Sequence, residues 1–211
     1  GTCIRLPSST SPKHHSSSSN DEPTQVPHGY GRMNYTKTSK NAVSAYYHGQ
    51  WINGIRSGHG KSCNANGDIY IGTYWDDMEH GVGTIRFYDG RIVSNGTFEN
   101  GLLLRGTMNY EDGSRYQGNF LDGKRHGSNG LYKFEDGSYY KGDFCNDQMH
   151  GHGELVWNQF TRYVGEWKCN QRHGRGVMEF TTNDHDDNDN VIIKRQESIW
   201  KDGKKIKDIL H

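Results

Sequence analysis

The chain holds 211 residues, of which only 31% are hydrophobic, while glycine occurs 28 times and tyrosine 13 times. That composition leaves too little branched aliphatic side chain for one large globular core and suits an elongated fold in which rings pack against glycines. Lys plus Arg equals Asp plus Glu at 25 each, so net charge makes no case for a nucleic-acid partner, and no apolar run reaches the roughly 18 residues of a membrane-spanning helix.

Residues 1–27 are polar, low in complexity and interrupted by proline. Such a segment buries too little apolar area to offset its ordering entropy, so it is expected to order only against a partner surface. Gly1 would be the terminus left by a removed initiator methionine, and Cys3 lies close behind it. These two are the candidate lipidation sites, although Arg5 stands where the myristoylation pattern wants Ser or Thr. Membrane contact is expected only if that terminus is acylated.

Residues 28–180 are repetitive. Tyr47–Gly60, Tyr70–Gly83, Tyr116–Gly130, Tyr140–Gly153 and Tyr163–Gly176 superpose as Tyr-x-Gly-x-aromatic, a short spacer, then a glycine pair. The interval between Tyr70 and Tyr116 holds a degenerate copy, Ser94–Gly106, so units start at 47, 70, 94, 116, 140 and 163. A half copy lies at His28–Tyr35 and a worn one at Gln196–Gly203. Within Tyr47-x-Gly49-x-Trp51 the period of two puts all three residues on one face of a strand. The return segment alternates likewise, as in Gly153, Leu155 and Trp157. Asn66-Gly67, Asp89-Gly90, Asp112-Gly113 and Asp136-Gly137 then predict two-residue hairpin turns with positive φ. Strand joined to neighbouring strand throughout gives an all-β, elongated antiparallel meander, a single-layer strip stabilised by neighbour contacts.

The spacing Tyr-x-Gly-x-Trp-x-x-Gly-x-x-His-Gly-x-Gly on a step of about 23 residues resembles the MORN repeat (membrane occupation and recognition nexus). His80, His126, His150 and His173 hold the histidine position and Ser57 replaces it in the first unit. Asp77, Asp147 and Asn170 replace the glycine of the first turn, and Ser94, Leu104 and Arg105 depart in the third unit, where a bend is expected. The resemblance implies a β-meander used as a scaffold, in settings that include ciliary radial spokes, other cytoskeletal structures and membrane contacts.

No nucleophile elbow, phosphate-binding loop or zincin helix occurs, so no catalytic or cofactor-binding residue is expected and the chain is read as non-enzymatic. The recurrent histidines fall one per hairpin, too far apart to share a metal, and are expected to bond turn backbone instead. Cys3, Cys63, Cys145 and Cys169 form neither a disulfide framework nor a CxxC pair, which favours a reducing compartment, the cytoplasm. Asp184–Asn190 lacks the mid-loop glycine and final glutamate of a calcium loop and is expected to be a solvated part of an acidic linker, 181–195. Residues 196–211 add the worn repeat and a basic tail.

The candidate partner-binding face is the row Tyr47, Trp51, Tyr70, Tyr74, Phe98, Tyr116, Phe120, Tyr140, Phe144, Tyr163 and Trp167. Rings at this density either stack on one another or receive a partner helix or peptide. The expected partners are other protein subunits of a large assembly, with homodimerisation through exposed sheet edges as a further route. The family resemblance directs the expectation to the cytoskeleton, and within it to the cilium, flagellum, axoneme and radial spoke. A membrane-associated scaffold held by an acylated N-terminus is the alternative.

Overall fold

A computed structural model describes residues 26–35, 43–159, 161–185 and 191–209; Gly1, Cys3 and most of the N-terminal segment lie outside the described residues. The strip opens with β1 (Gly29–Asn34), and hairpins follow: β2 (Tyr46–Ile52) with β3 (Ile55–Cys63), then β4 (Ile69–Trp75) with β5 (Met78–Arg86). Next come β6 (Ile92–Glu99) with β7 (Leu102–Asn109), and β8 (Arg115–Leu121) with the short β9 (Lys124–Arg125) and β10 (Gly127–Lys133). The last three pairs are β11 (Tyr139–Cys145) with β12 (Gln148–Asn158), β13 (Thr161–Lys168) with β14 (Gln171–His185), and β15 (Val191–Lys201) with β16 (Lys204–Asp208). All pair antiparallel in chain order within one open sheet, β9 alone lying off the path beside β8. At about 4.8 Å between strands, that path runs roughly 70 Å.

Two kinds of turn alternate, and the two-residue kind does not fall at the Asn-Gly and Asp-Gly sites where it was expected. The Asp-Gly and Asn-Gly sites close three-residue loops: the Phe87 amide donates to the Arg91 carbonyl and the Gly90 amide to the Phe87 carbonyl, and the other three repeat this pattern. Only the glycine there takes positive φ, +88° at Gly90, because the preceding Asp or Asn stays outside the left-handed region. Asx bonds fix that geometry, as where the Ser114 amide donates to Asp112 at 2.9 Å. The two-residue turns lie at the opposite end of the hairpins. There both central residues take positive φ, as at Asn53-Gly54, Asp76-Asp77 and Cys169-Asn170. Cross-strand pairs such as Ile52 with Ile55 close them.

These two-residue turns also join one unit to the next. The Asp77 amide donates to the Arg56 carbonyl at 3.2 Å, Gly101 to Glu79 at 2.8 Å, Asp147 to Arg125 at 3.0 Å and Asn170 to Met149 at 3.0 Å. Where Asp or Asn replaces the second turn residue, its side chain accepts a return bond: the Arg56 amide donates to Asp77, Arg125 to Asp147 and Met149 to Asn170. Those departures from glycine therefore add a bond between units, at the cost of a left-handed non-glycine residue.

The core is the aromatic row. Each unit tyrosine donates its hydroxyl to the carbonyl three residues on, as Tyr116 does to Asn119 at 3.0 Å. Its ring lies over two strand glycines: a Cβ on Gly153 would stand 2.2 Å from the Tyr140 hydroxyl oxygen. The rings meet edge to face in series, with Tyr140 5.2 Å from Phe144 and 5.3 Å from Trp167. Such pairs add roughly 0.5–1.5 kcal/mol each beyond area burial. The series breaks at the third unit, where Val93 occupies the tyrosine position and divides the rings into two clusters. Phe98 and Leu103 fill the space over Gly96 there, and the register shifts twice between Ser94 and Phe98.

At the C-terminal end β14 and β15 run into the segment expected to be a linker, pairing as far as His185 with Val191. Residues 186–190 of the acidic run lie outside the described residues. The worn last repeat is a full hairpin, and Trp200 extends the ring series by packing 5.8 Å from Tyr163.

Candidate interaction surfaces

All eleven aromatics singled out from the sequence lie on one face, and all are buried, between 0% and 6% exposed. Burial pushes the Tyr47, Tyr70, Tyr116 and Tyr163 hydroxyls up to about 12. Over the rings lie cations from the return strands: Arg56 over Tyr74 at 5.1 Å, Arg125 over Tyr132 at 4.8 Å and Arg172 over Trp200 at 3.7 Å. A partner on this face would therefore first meet arginines and a second tier of side chains. One cavity of about 270 Å³ opens there, lined by Arg125, Tyr132, Phe134, Tyr140, Phe144 and Met149 among others.

The row of apolar side chains that remains exposed was missed in the sequence. The residues that close the two-residue turns form cross-strand pairs on the opposite face: Ile52 with Ile55, Trp75 with Met78, and Leu102 with Glu99. Leu121, paired with Lys124, continues the row. Trp75 is 66% exposed, Leu102 56% and Ile52 52%, and Ile55, Met78 and Leu121 are also exposed. Bonds between successive turns hold the first three pairs in line, one pair per hairpin. In the last two hairpins the same positions are Lys168 with Gln171 and Lys201 with Lys204, all exposed. The available signal was the residue immediately outside each Tyr-x-Gly-x-aromatic motif, which is apolar in the first two units and basic in the last two.

The histidines serve the backbone in part. The His126 Nδ1 accepts from the Asn146 amide and the His28 Nδ1 from the Asn53 amide, each at 3.5 Å. The Nδ1 atoms of His80 and His173 are buried without a hydrogen bond, the latter 3.6 Å from an Asp202 carboxylate oxygen. Among the described residues no group of three His, Cys, Asp or Glu side chains could hold a metal ion, and no disulfide joins Cys63, Cys145 and Cys169. On the face opposite the rings, Arg162 bridges Glu154 at 3.0 Å and Glu179 at 2.7 Å.

Comparison with known proteins agrees with this architecture. The chain is 28% identical over 143 residues to Alsin of Rattus norvegicus, and equally to Alsin of Homo sapiens and of Mus musculus. The match takes in 65% of this chain but 8% of each Alsin, so the chain spans a small part of those relatives. MORN repeats match at residues 47–69, 70–90, 116–139, 140–162 and 163–185, more than half of the chain in all. The chain belongs to the MORN-repeat family.

Proposed function

We propose that the protein is a non-enzymatic scaffold whose strip holds other protein subunits of a cytoskeletal assembly, with the ciliary axoneme and its radial spokes as the setting. The carrying observation is the exposed row Ile52, Ile55, Trp75, Met78, Leu102 and Leu121, presented at hairpin intervals along one long edge. Large side chains exposed in line mark an interaction surface, whereas exposed apolar residues scattered singly do not. The cavity beside Tyr140 and Phe144 on the ring face is a second contact, taking single side chains of the same partners.

The test is affinity capture from ciliated cells with the intact chain and a Trp75→Ser, Leu102→Ser double variant. Capture of axonemal subunits by the native chain, and its loss in a variant that still melts like the native protein, is the expected result. Equal capture by both forms would remove the row from the proposal. Capture of membrane-signalling proteins together with a myristoyl mass increment at Gly1 would favour the lipid-anchored alternative.

A further inference from the structure

Among the described residues the strip begins on half a unit. β1 reads Gly29-Tyr30-Gly31, after His28, and stands where a return strand stands in every later hairpin. Its pairing with β2 sets Gly31 opposite Gly49, as β12 sets Gly153 opposite Gly165. The equivalence extends to a side chain: the Trp51 indole donates to the Gly31 carbonyl at 3.3 Å, and the Trp167 indole to the Gly153 carbonyl at 3.1 Å.

At Gly153, however, the Tyr140 ring lies over the glycine, with its hydroxyl oxygen 2.2 Å from a built Cβ. At Gly31 the nearest described atoms are those of the Trp51 indole, 3.9 Å away. Trp51 shows the same shortfall from its own side. Trp167 packs between two tyrosines, Tyr140 and Tyr163, and Phe144 between Tyr116 and Tyr140. Among the described residues the one ring that meets Trp51 is Tyr47.

Among the described residues the backbone is also unpaired on that side. The Tyr35 amide donates to the Ala45 carbonyl at 2.9 Å, which by alternation turns Met33 and Gly31 toward β2 and leaves the amides of Tyr30, Arg32 and Asn34 facing outward. Tyr30 is 70% exposed.

We infer that the edge of β1 left unpaired among the described residues is a docking site for one extended strand of the type Tyr-x-Gly-x-aromatic, contributed by a segment outside these 211 residues. The strand pairs antiparallel with β1, its glycine opposite Gly31, and its tyrosine lies over Gly31 and against Trp51. Backbone bonds supply the affinity and the ring in its slot the selectivity. A second copy of this chain does not supply the strand, because its Tyr-x-Gly strands are already paired on both sides. Its other free edge, β16, reads Lys-Lys-Ile-Lys-Asp, and lysines there disfavour edge-to-edge pairing. Residues 1–25 contain no Tyr, Phe or Trp and so do not supply the ring either. This site is separate from the turn-edge row.

The probe is a synthetic peptide with the sequence of β8, Arg-Tyr-Gln-Gly-Asn-Phe-Leu, titrated into the full chain by calorimetry and followed by amide hydrogen exchange. One-to-one binding with slowed exchange at Tyr30 and Arg32 is expected. A peptide with alanine for its tyrosine should bind about tenfold more weakly, the scale of a lost ring pair and its buried area. Gly31→Val in the protein should weaken the native peptide at least as much, with the inward amide of Met33 still protected as the sign that β1 is intact. Failure of the native peptide to bind, equal binding of the alanine peptide, or protection at β16 instead of β1 would each overturn the inference.

Discussion

At Gly153 the missing side chain is what admits the Tyr140 ring, and the closeness of the hydroxyl leaves no room for a methyl. Gly153→Ala should cost about 2 kcal/mol by overpacking, read as a lower urea midpoint. An unchanged midpoint would mean that the ring is free to move aside. The same burial makes the tyrosines sensors of alkaline pH. An unfolded tyrosine loses its proton near pH 10, while Tyr47, Tyr70, Tyr116 and Tyr163 hold theirs to about 12. Between these values the folded chain retains protons that the unfolded chain has released, so stability is full below about pH 9 and falls as pH rises toward 12. Urea midpoints measured across that range, with tyrosinate absorbance lagging in the folded protein, check it. A level midpoint with unshifted absorbance would refute the packing described.

Family pattern alone recommends tyrosine at Val93, the position held by Tyr70 and Tyr116 in the adjoining units. Phe98 and Leu103 already fill the space over Gly96, so Val93→Tyr should destabilise by about 1–3 kcal/mol. A rise in melting temperature would show that the third unit can repack to the common form. Asp147 accepts from the Arg125 amide at 2.9 Å while holding φ at +68°. Asp147→Ala keeps the backbone strain and loses the bond, and should cost about 1–2 kcal/mol. Asp147→Gly loses the bond but relieves the strain, and should fall between the two. The strands, their register on the ring face and the break near Ser94 were legible because ring and glycine alternate visibly. The turn types were not. Asn-Gly and Asp-Gly suit either kind of loop, and the Asx bond that selects the three-residue form belongs to the folded backbone. The inter-unit bonds of Asp77 and Asp147 looked in the sequence like lost glycines.

For the whole molecule, burial divides the aromatics in a way that the pattern of residues could not. Tyr116 and Trp75 are both large rings on strands, yet one closes the core and the other stands in solvent, because a one-residue step in a strand reverses the face. An open strip of this kind keeps its core on one face, here in two ring clusters, and leaves its turn edge exposed. The turn edge is the surface proposed above to hold protein subunits of a cytoskeletal assembly. Cross-linking mass spectrometry on native cell fractions tests it most directly, with Lys124 beside Leu121 and Lys168 farther along the edge as reporters. Links from these lysines to axonemal or other cytoskeletal subunits are predicted. Links confined to membrane lipid-signalling proteins, or an edge that joins to nothing in the assembled state, would contradict it.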